Sequence, residues 1–225
     1  MYKLYHHILC PFSRKVRAHM NSKHLEYELV AENFWLKRND FIALNPAGQV
    51  PILLDQESDS VICGSNIIIE YLEEKHQDKN NFLGDSFVKK AETRRIQDWF
   101  DHKFFAEVTD PVLNERYLNR FLPYAKAPNS NILAIARSNL SVHFGYIDYL
   151  LETRKYLAGD MITVADFSAA AQISVLDYFS DINWQHFDSV KDWYSLIKSH
   201  KAFNEILQDN IAAITPPQWY AKLDF

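Results

Sequence analysis

The sequence predicts an α/β amino-terminal domain joined to an all-helical carboxy-terminal domain. Three observations predict it. Over residues 1–78, short apolar runs and turn residues surround amphipathic helix patterns. Over residues 87–209, apolar residues recur mostly at helical intervals. Between them, residues 79–86 are polar, contain Gly84 and read as a linker. Residues 210–225, with Pro216-Pro217 and three aromatics, form a tail.

Tyr2 to Leu9 reads as a strand. Pro11 then opens a helix to Met20, because proline suits a first helical turn, and Phe12, Val16 and Met20 recur every four residues. Leu25 to Ala31 alternates as a second strand. Val50 to Asp55 and Ser60 to Cys63 read as a hairpin. Ser65 is placed to cap a helix to Lys75, with Ile68, Tyr71 and Leu72 as its buried stripe. A strand–helix–strand unit favours a parallel pair, to which the hairpin adds antiparallel strands. In the second domain Val88, Ile96, Trp99, Phe100, Phe104 and Val108 step as a helix that Pro111 should end or kink. Leu122 to Asn131 is a loop, and Ile132 to Leu151 is again helical. Thr163 and Asp166 have the spacing of a capping box, a folding role rather than a catalytic one. The alanines at 165 and 169–171 suggest close helix packing. Two further helical patterns lie near Val190 to Ser199 and Ala202 to Leu207.

Composition excludes several functions. The chain has 225 residues, 24 Lys+Arg against 29 Asp+Glu and a net charge of −5. An acidic chain is a poor non-specific nucleic-acid binder, since phosphate contacts need clustered cations. No apolar run approaches the ~18 residues of a membrane helix. The start, Met1 to His7, lacks the layout of a signal peptide, so cytoplasmic residence is expected. Cys10 and Cys63 are too few for a disulfide framework or a structural zinc site. The adjacent His6 and His7 face opposite ways on a strand, so no metal site is expected. Neither a P-loop nor Gly-x-Gly-x-x-Gly occurs.

Three signatures then coincide in order: Cys10-Pro11-Phe12-Ser13 between the first strand and helix, Asn45-Pro46-Ala47-Gly48-Gln49-Val50-Pro51 before a strand, and Leu157-Ala158-Gly159-Asp160 leading into Thr163-Val164-Ala165-Asp166. Together they resemble the cytosolic glutathione transferase superfamily over nearly the whole chain. The resemblance implies a thioredoxin-like first domain and a helical second one. It implies that Cys10 or Ser13, near a helix N-terminus that favours anions, would handle a thiolate if the protein were an enzyme. Val50 before a cis Pro51, together with Ser65, would be the glutathione-site equivalents. Arg14, Lys15 and Arg17 would either lower the Cys10 pKa or form a solvated face. One departure stands out: the family usually has an acidic residue before the serine, and here the pair is Gly64-Ser65. Losing that charge-assisted bond to the γ-glutamyl ammonium costs ~1.5–3 kcal/mol of binding.

A narrower resemblance rests on Tyr2 to His7, on Glu32-Asn33-Phe34-Trp35-Leu36-Lys37-Arg38 and on the tail Thr215 to Phe225. This combination is similar to the glutathione-transferase-like division proteins of alphaproteobacteria that bind FtsZ, the tubulin-like division GTPase. It implies a homodimeric adaptor recruited to the division site, which binds FtsZ filaments and other division proteins without transferase catalysis and needs no cofactor. The alternative is a glutathione-dependent transferase or thiol transferase using Cys10 or Ser13. Tryptophan and arginine are enriched among interface hot spots, so Trp35 and Arg38 are candidate partner contacts. Glu115, Arg116 and Arg120 are others, the two arginines sharing a face if the helix resumes after Pro111. The tail aromatics Trp219, Tyr220 and Phe225 either dock on the body or leave Leu223, Asp224 and Phe225 as a recognition element.

Overall fold

Strand β1 (Tyr2–His6) is central in a four-stranded sheet of order β2-β1-β3-β4 in this computed structural model, which describes residues 1–212 and 214–222. It pairs in parallel with β2 (Tyr27–Ala31), placing Leu4 beside Leu29, and antiparallel with β3 (Ile52–Asp55), placing Leu4 beside Leu53. Strand β4 (Ser60–Cys63) closes the expected hairpin on β3. The parallel pair requires a crossover, which helix α1 (Pro11–Ser22) supplies, with Pro11 in its first turn. Its neighbour α3 (Ser65–Lys75) begins one residue earlier than a Ser65 cap would require. Gly64 holds the N-cap position at φ +93°, and Ser65 is the first helical residue. Two short elements escape the sequence pattern, a 3₁₀ turn at Phe34–Leu36 and α2 (Asn39–Leu44). Neither is long enough to show a helical period.

The second domain starts at α4 (Phe87–Asp98), capped by Ser86, whose Oγ accepts from Lys89 N at 3.3 Å. A π-helical segment, Trp99–Thr109, carries the chain on into α5 (Asp110–Arg116). Pro111 therefore does not end the helix; it lies in the first turn of α5, directly after the π-helical segment. It has no N–H for the Glu107 carbonyl four residues back, and that carbonyl accepts from Asn139 Nδ2 at 3.1 Å. Helix α5 ends at Arg116, where Tyr117 turns to φ −131°, and a 3₁₀ turn follows at Leu118–Phe121. Arg116 and Arg120 thus share no helix face, contrary to the sequence expectation. Asn129 caps the long α6 (Ser130–Leu151).

Helix α7 (Val164–Tyr178) is buried along its whole length, and α1 of the first domain packs along it. The small Ala169, Ala170 and Ala171 are fully covered, as their sequence suggested. Helices α8 (Asp188–Ser199) and α9 (Lys201–Asn204) close the domain. The tail returns to α7: Tyr178 Oη donates to Ile214 O at 2.7 Å, and Trp219 Nε1 donates to Asp177 Oδ1 at 3.2 Å. Tyr220 is fully buried. Docking is therefore what Trp219 and Tyr220 do, while Leu223, Asp224 and Phe225 lie outside the described residues.

The capping box at α7 forms with an addition. Asp166 accepts from Thr163 N at 2.8 Å and from Thr163 Oγ1 at 3.1 Å. It also takes Leu157 N at 2.9 Å and Trp193 Nε1 at 3.1 Å. Burial pushes its carboxyl pKa up, and these four donors oppose that shift. Each buried donor left unpaired costs ~1–3 kcal/mol. Asp166→Ala should therefore lower the unfolding free energy by ~3 kcal/mol or more in urea titration, with Asp166→Asn intermediate. A loss below ~1 kcal/mol would show that the junction does not depend on this carboxylate.

Candidate functional site

The loop after β1, the cis Val50–Pro51 bond, the start of α3, the π-helical segment and α5 enclose an interdomain cleft of about 560 Å³. Cys10 is the N-cap of α1 yet makes no capping bond with its side chain. Its thiol points at the cis-proline corner, donating to Val50 O at 3.8 Å. Burial pushes the thiol pKa up; hydrogen bonds from Ser13 and Phe12 and the charge of Arg14 oppose this without reversing it. A thiol held in its neutral form is a weak nucleophile. Ser13 is completely buried, and its Oγ accepts from His7 N at 3.4 Å, so it faces the protein rather than a ligand. Val50, Pro51 and Ser65 do line the cleft. The Ser65 hydroxyl donates weakly to Asn66 Oδ1 at 3.4 Å.

The cations of α1 are not a solvated face. Arg14, Lys15 and Arg17 are all buried, and each has an assigned partner. Arg14 donates from Nε to Ile8 O at 2.6 Å, and from Nη1 to Ser174 Oγ at 2.7 Å and Tyr220 Oη at 2.8 Å. Lys15 forms an ion pair with Asp101 on the π-helical segment and donates to Asn66 Oδ1 at 2.5 Å. Arg17 is paired with Asp209. All three therefore bridge the first domain to the second or to the tail. Among the described residues lining the cleft there is no lysine and no arginine.

Gly64 explains part of the departure from the family pattern. At φ +93° an L side chain is strained, at a cost of ~1–3 kcal/mol, although an added Cβ would meet only Ile67 Cδ1, at 3.5 Å. An acidic residue here would accept that strain in return for a ligand contact. Glycine removes the strain and the contact together.

A second constellation backs onto the same cleft. His7, which lines it, has Leu9 N donating to Nδ1 at 3.3 Å, so Nε2–H faces Tyr117 Oη at 3.2 Å. Burial holds this imidazole neutral, its pKa pushed down to about 4. Over it lies Trp35, its ring centroid 5.2 Å from His7 and stacked at 4.5 Å on Phe121. Trp35 is half-buried, so it is neither a packed core residue nor a free side chain. Leu36, next to it in the chain, and Phe121, stacked on it, are exposed, as is Arg120. Arg38, also exposed, donates to Glu32 Oε2 at 2.6 Å and to Asp40 Oδ2 at 2.9 Å. Glu115 is turned to Asn129 N at 2.8 Å, and Arg116 makes a two-pronged bond to Asp181, both arms 2.9 Å. Trp35 and Arg120 are thus brought to one apolar-and-cationic face, whereas Arg116 is committed to the fold. Sequence reading missed Lys15–Asp101, His7–Tyr117 and Phe121, because each depends on a partner 86 or more positions away.

Comparison with known proteins agrees with this architecture. The family model for the glutathione S-transferase N-terminal domain matches residues 4–80, and that for the C-terminal domain matches residues 116–210. FtsZ-localized protein A of Caulobacter vibrioides is 38% identical over 224 residues, which cover 99% of this chain and 97% of that one. A crystal structure of a glutathione S-transferase from Rhodospirillum rubrum superposes with a TM-score of 0.95 at 41% identity, over 100% of both chains. FzlA from C. crescentus superposes with a TM-score of 0.95 at 38% identity, over 100% of this chain and 99% of that one. The chain belongs to the glutathione S-transferase family, within the group that includes FtsZ-localized protein A.

Proposed function

We propose that this protein is a cell-division adaptor that binds FtsZ filaments through the Trp35 face, acts as a homodimer at the division site in the cytoplasm, and carries out no transferase reaction. The observation that carries the reading is 38% identity to FtsZ-localized protein A along practically the whole of both chains. The physical support lies in the face itself. A tryptophan seated on aromatic neighbours and flanked by exposed Leu36 and Phe121 has the composition of an interface hot spot, and Arg120 adds charge. Other division proteins are further partners in this reading, bound by the same chain without a chemical step.

The catalytic alternative, through Cys10 or Ser13, has less support. Its cysteine is held neutral by burial, its serine is covered, and Gly64 stands where an acid would hold glutathione. Glutathione is therefore not part of the proposed function.

For the homodimer, α6 offers a surface. Ile135, Val142 and Tyr149 are exposed and seven residues apart, the spacing of a helix–helix seam. Gly145 lies among them, and a Cβ added there would meet nothing within 4 Å. A mid-helix glycine costs ~0.5–1 kcal/mol, so one with no internal reason suits close approach of a second chain.

Co-sedimentation with polymerised FtsZ tests the adaptor. Trp35→Ala should weaken pelleting about tenfold or more, with some loss of thermal stability because Trp35 also packs on Phe121. Arg120→Glu, at an exposed position, should weaken pelleting severalfold and leave the melt unchanged. Wild-type pelleting by both variants would reject the face. By light scattering, Val142→Glu should convert a dimer into a monomer, and an unchanged dimer would move the interface off α6.

A further inference from the structure

The cleft has a charge of its own that neither the adaptor role nor glutathione chemistry uses. Asp110, at the junction of the π-helical segment and α5, lines the cleft with its carboxylate half-buried. Its partner among the described residues is neutral: Asn114 Nδ2 donates to Oδ1 at 2.9 Å. Burial raises its pKa, which is the mark of a carboxylate short of positive charge. The other charged groups of the lining are accounted for. Asp101 is neutralised by Lys15, and His102 sits at the exposed rim with its Nδ1 2.7 Å from Asp98. With no lysine or arginine lining it, the cleft presents one uncompensated negative charge. The walls are apolar and aromatic: Phe12, Phe34, Ile67, Phe105, Leu113 and Leu118. Phe12 and Phe105 meet across the domains with ring centroids 4.8 Å apart.

We infer that the cleft is a binding site for a small aromatic or apolar cation, an amine seated with its charge on Asp110 and its body against the apolar and aromatic walls. The volume, about 560 Å³, is in the range of small-molecule pockets. The few polar groups in an apolar cleft fix the orientation of a ligand, and here the only one with unmatched charge is a carboxylate. Aromatic ring faces attract a cation in their own right, so walls and carboxylate select the same sign. Glutathione, with two carboxylates against one ammonium, has the opposite net charge. The proposal does not rest on filament binding, since Asp110, the group that carries it, is not part of the Trp35 face.

The test compares two probes of the same ring and opposite charge, phenethylamine and phenylacetate, by isothermal titration into the full chain. The expected result is saturable binding of the amine, with phenylacetate at least about tenfold weaker, and loss of that preference in Asp110→Asn. The wild-type comparison decides the question even if the variant folds poorly. Equal binding of the two probes, binding of neither, or an unchanged preference in a folded Asp110→Asn would each overturn the inference.

Discussion

The molecule depends on how α1 buries its cations. The helix packs against α3 of the first domain and against α7 and α9 of the second, and only Phe12 and Asn21 of its residues are partly exposed. A charge removed from water must find compensating partners, and each partner found here fixes one domain against another part of the chain. Lys15 reaches across to Asp101, with Asn66 as a second acceptor. Arg14 reaches Ser174 on α7 and Tyr220 in the tail, and Arg17 reaches Asp209. Burial lowers the pKa of Lys15 and Asp101 opposes this, as expected for a cation that desolvation disfavours and pairing retains. Such pairs add little net stability against an apolar alternative, but breaking one strands a charge. Their consequence is geometric: a fixed domain boundary and a tail held on the body.

Two functional features follow from that boundary. On one side it forms the cleft, where the α1 cations are engaged in bridging the domains and, among the described residues, no lysine or arginine lines the wall. On the other side it carries Trp35. The His7 ring touches both, since it lines the cleft and supports Trp35 and Tyr117. The family scaffold is thus retained, while among the described residues its cleft is lined by no lysine or arginine. Gly64 shows the same at a single residue, where strain and a ligand contact disappear together.

Much of the fold was legible in the sequence because its signals are local. The alternation of β1 and β2, the hairpin, the helix opened by Pro11 and the Thr163–Asp166 box are each set within a few residues. The motif order was enough to find the family. What escaped is what depends on distant partners or exceeds a local rule. Arg14, Lys15 and Arg17 looked like a solvated face because nothing nearby shows a helix covered on all sides. Pro111 looked like a break because the sequence does not show Asn139 answering the Glu107 carbonyl. Ser65 looked like a cap because the positive φ of Gly64 is invisible before folding. Of the site, Val50, Pro51 and Ser65 line the cleft, and Trp35 is half-buried beside Phe121. Arg116, bound to Asp181, was not the free cation that its position suggested.

The most direct measurement is isothermal titration of the purified protein with reduced glutathione to millimolar concentration, alongside its thermal melt. With the α1 cations bridging the domains, Cys10 held neutral and Gly64 in place of an acid, no saturable heat and no shift in the melt are expected. Clear saturable binding, abolished by Cys10→Ala, would contradict the account. It would mean that a cleft without lysine or arginine still receives the tripeptide, and that the scaffold keeps its chemistry.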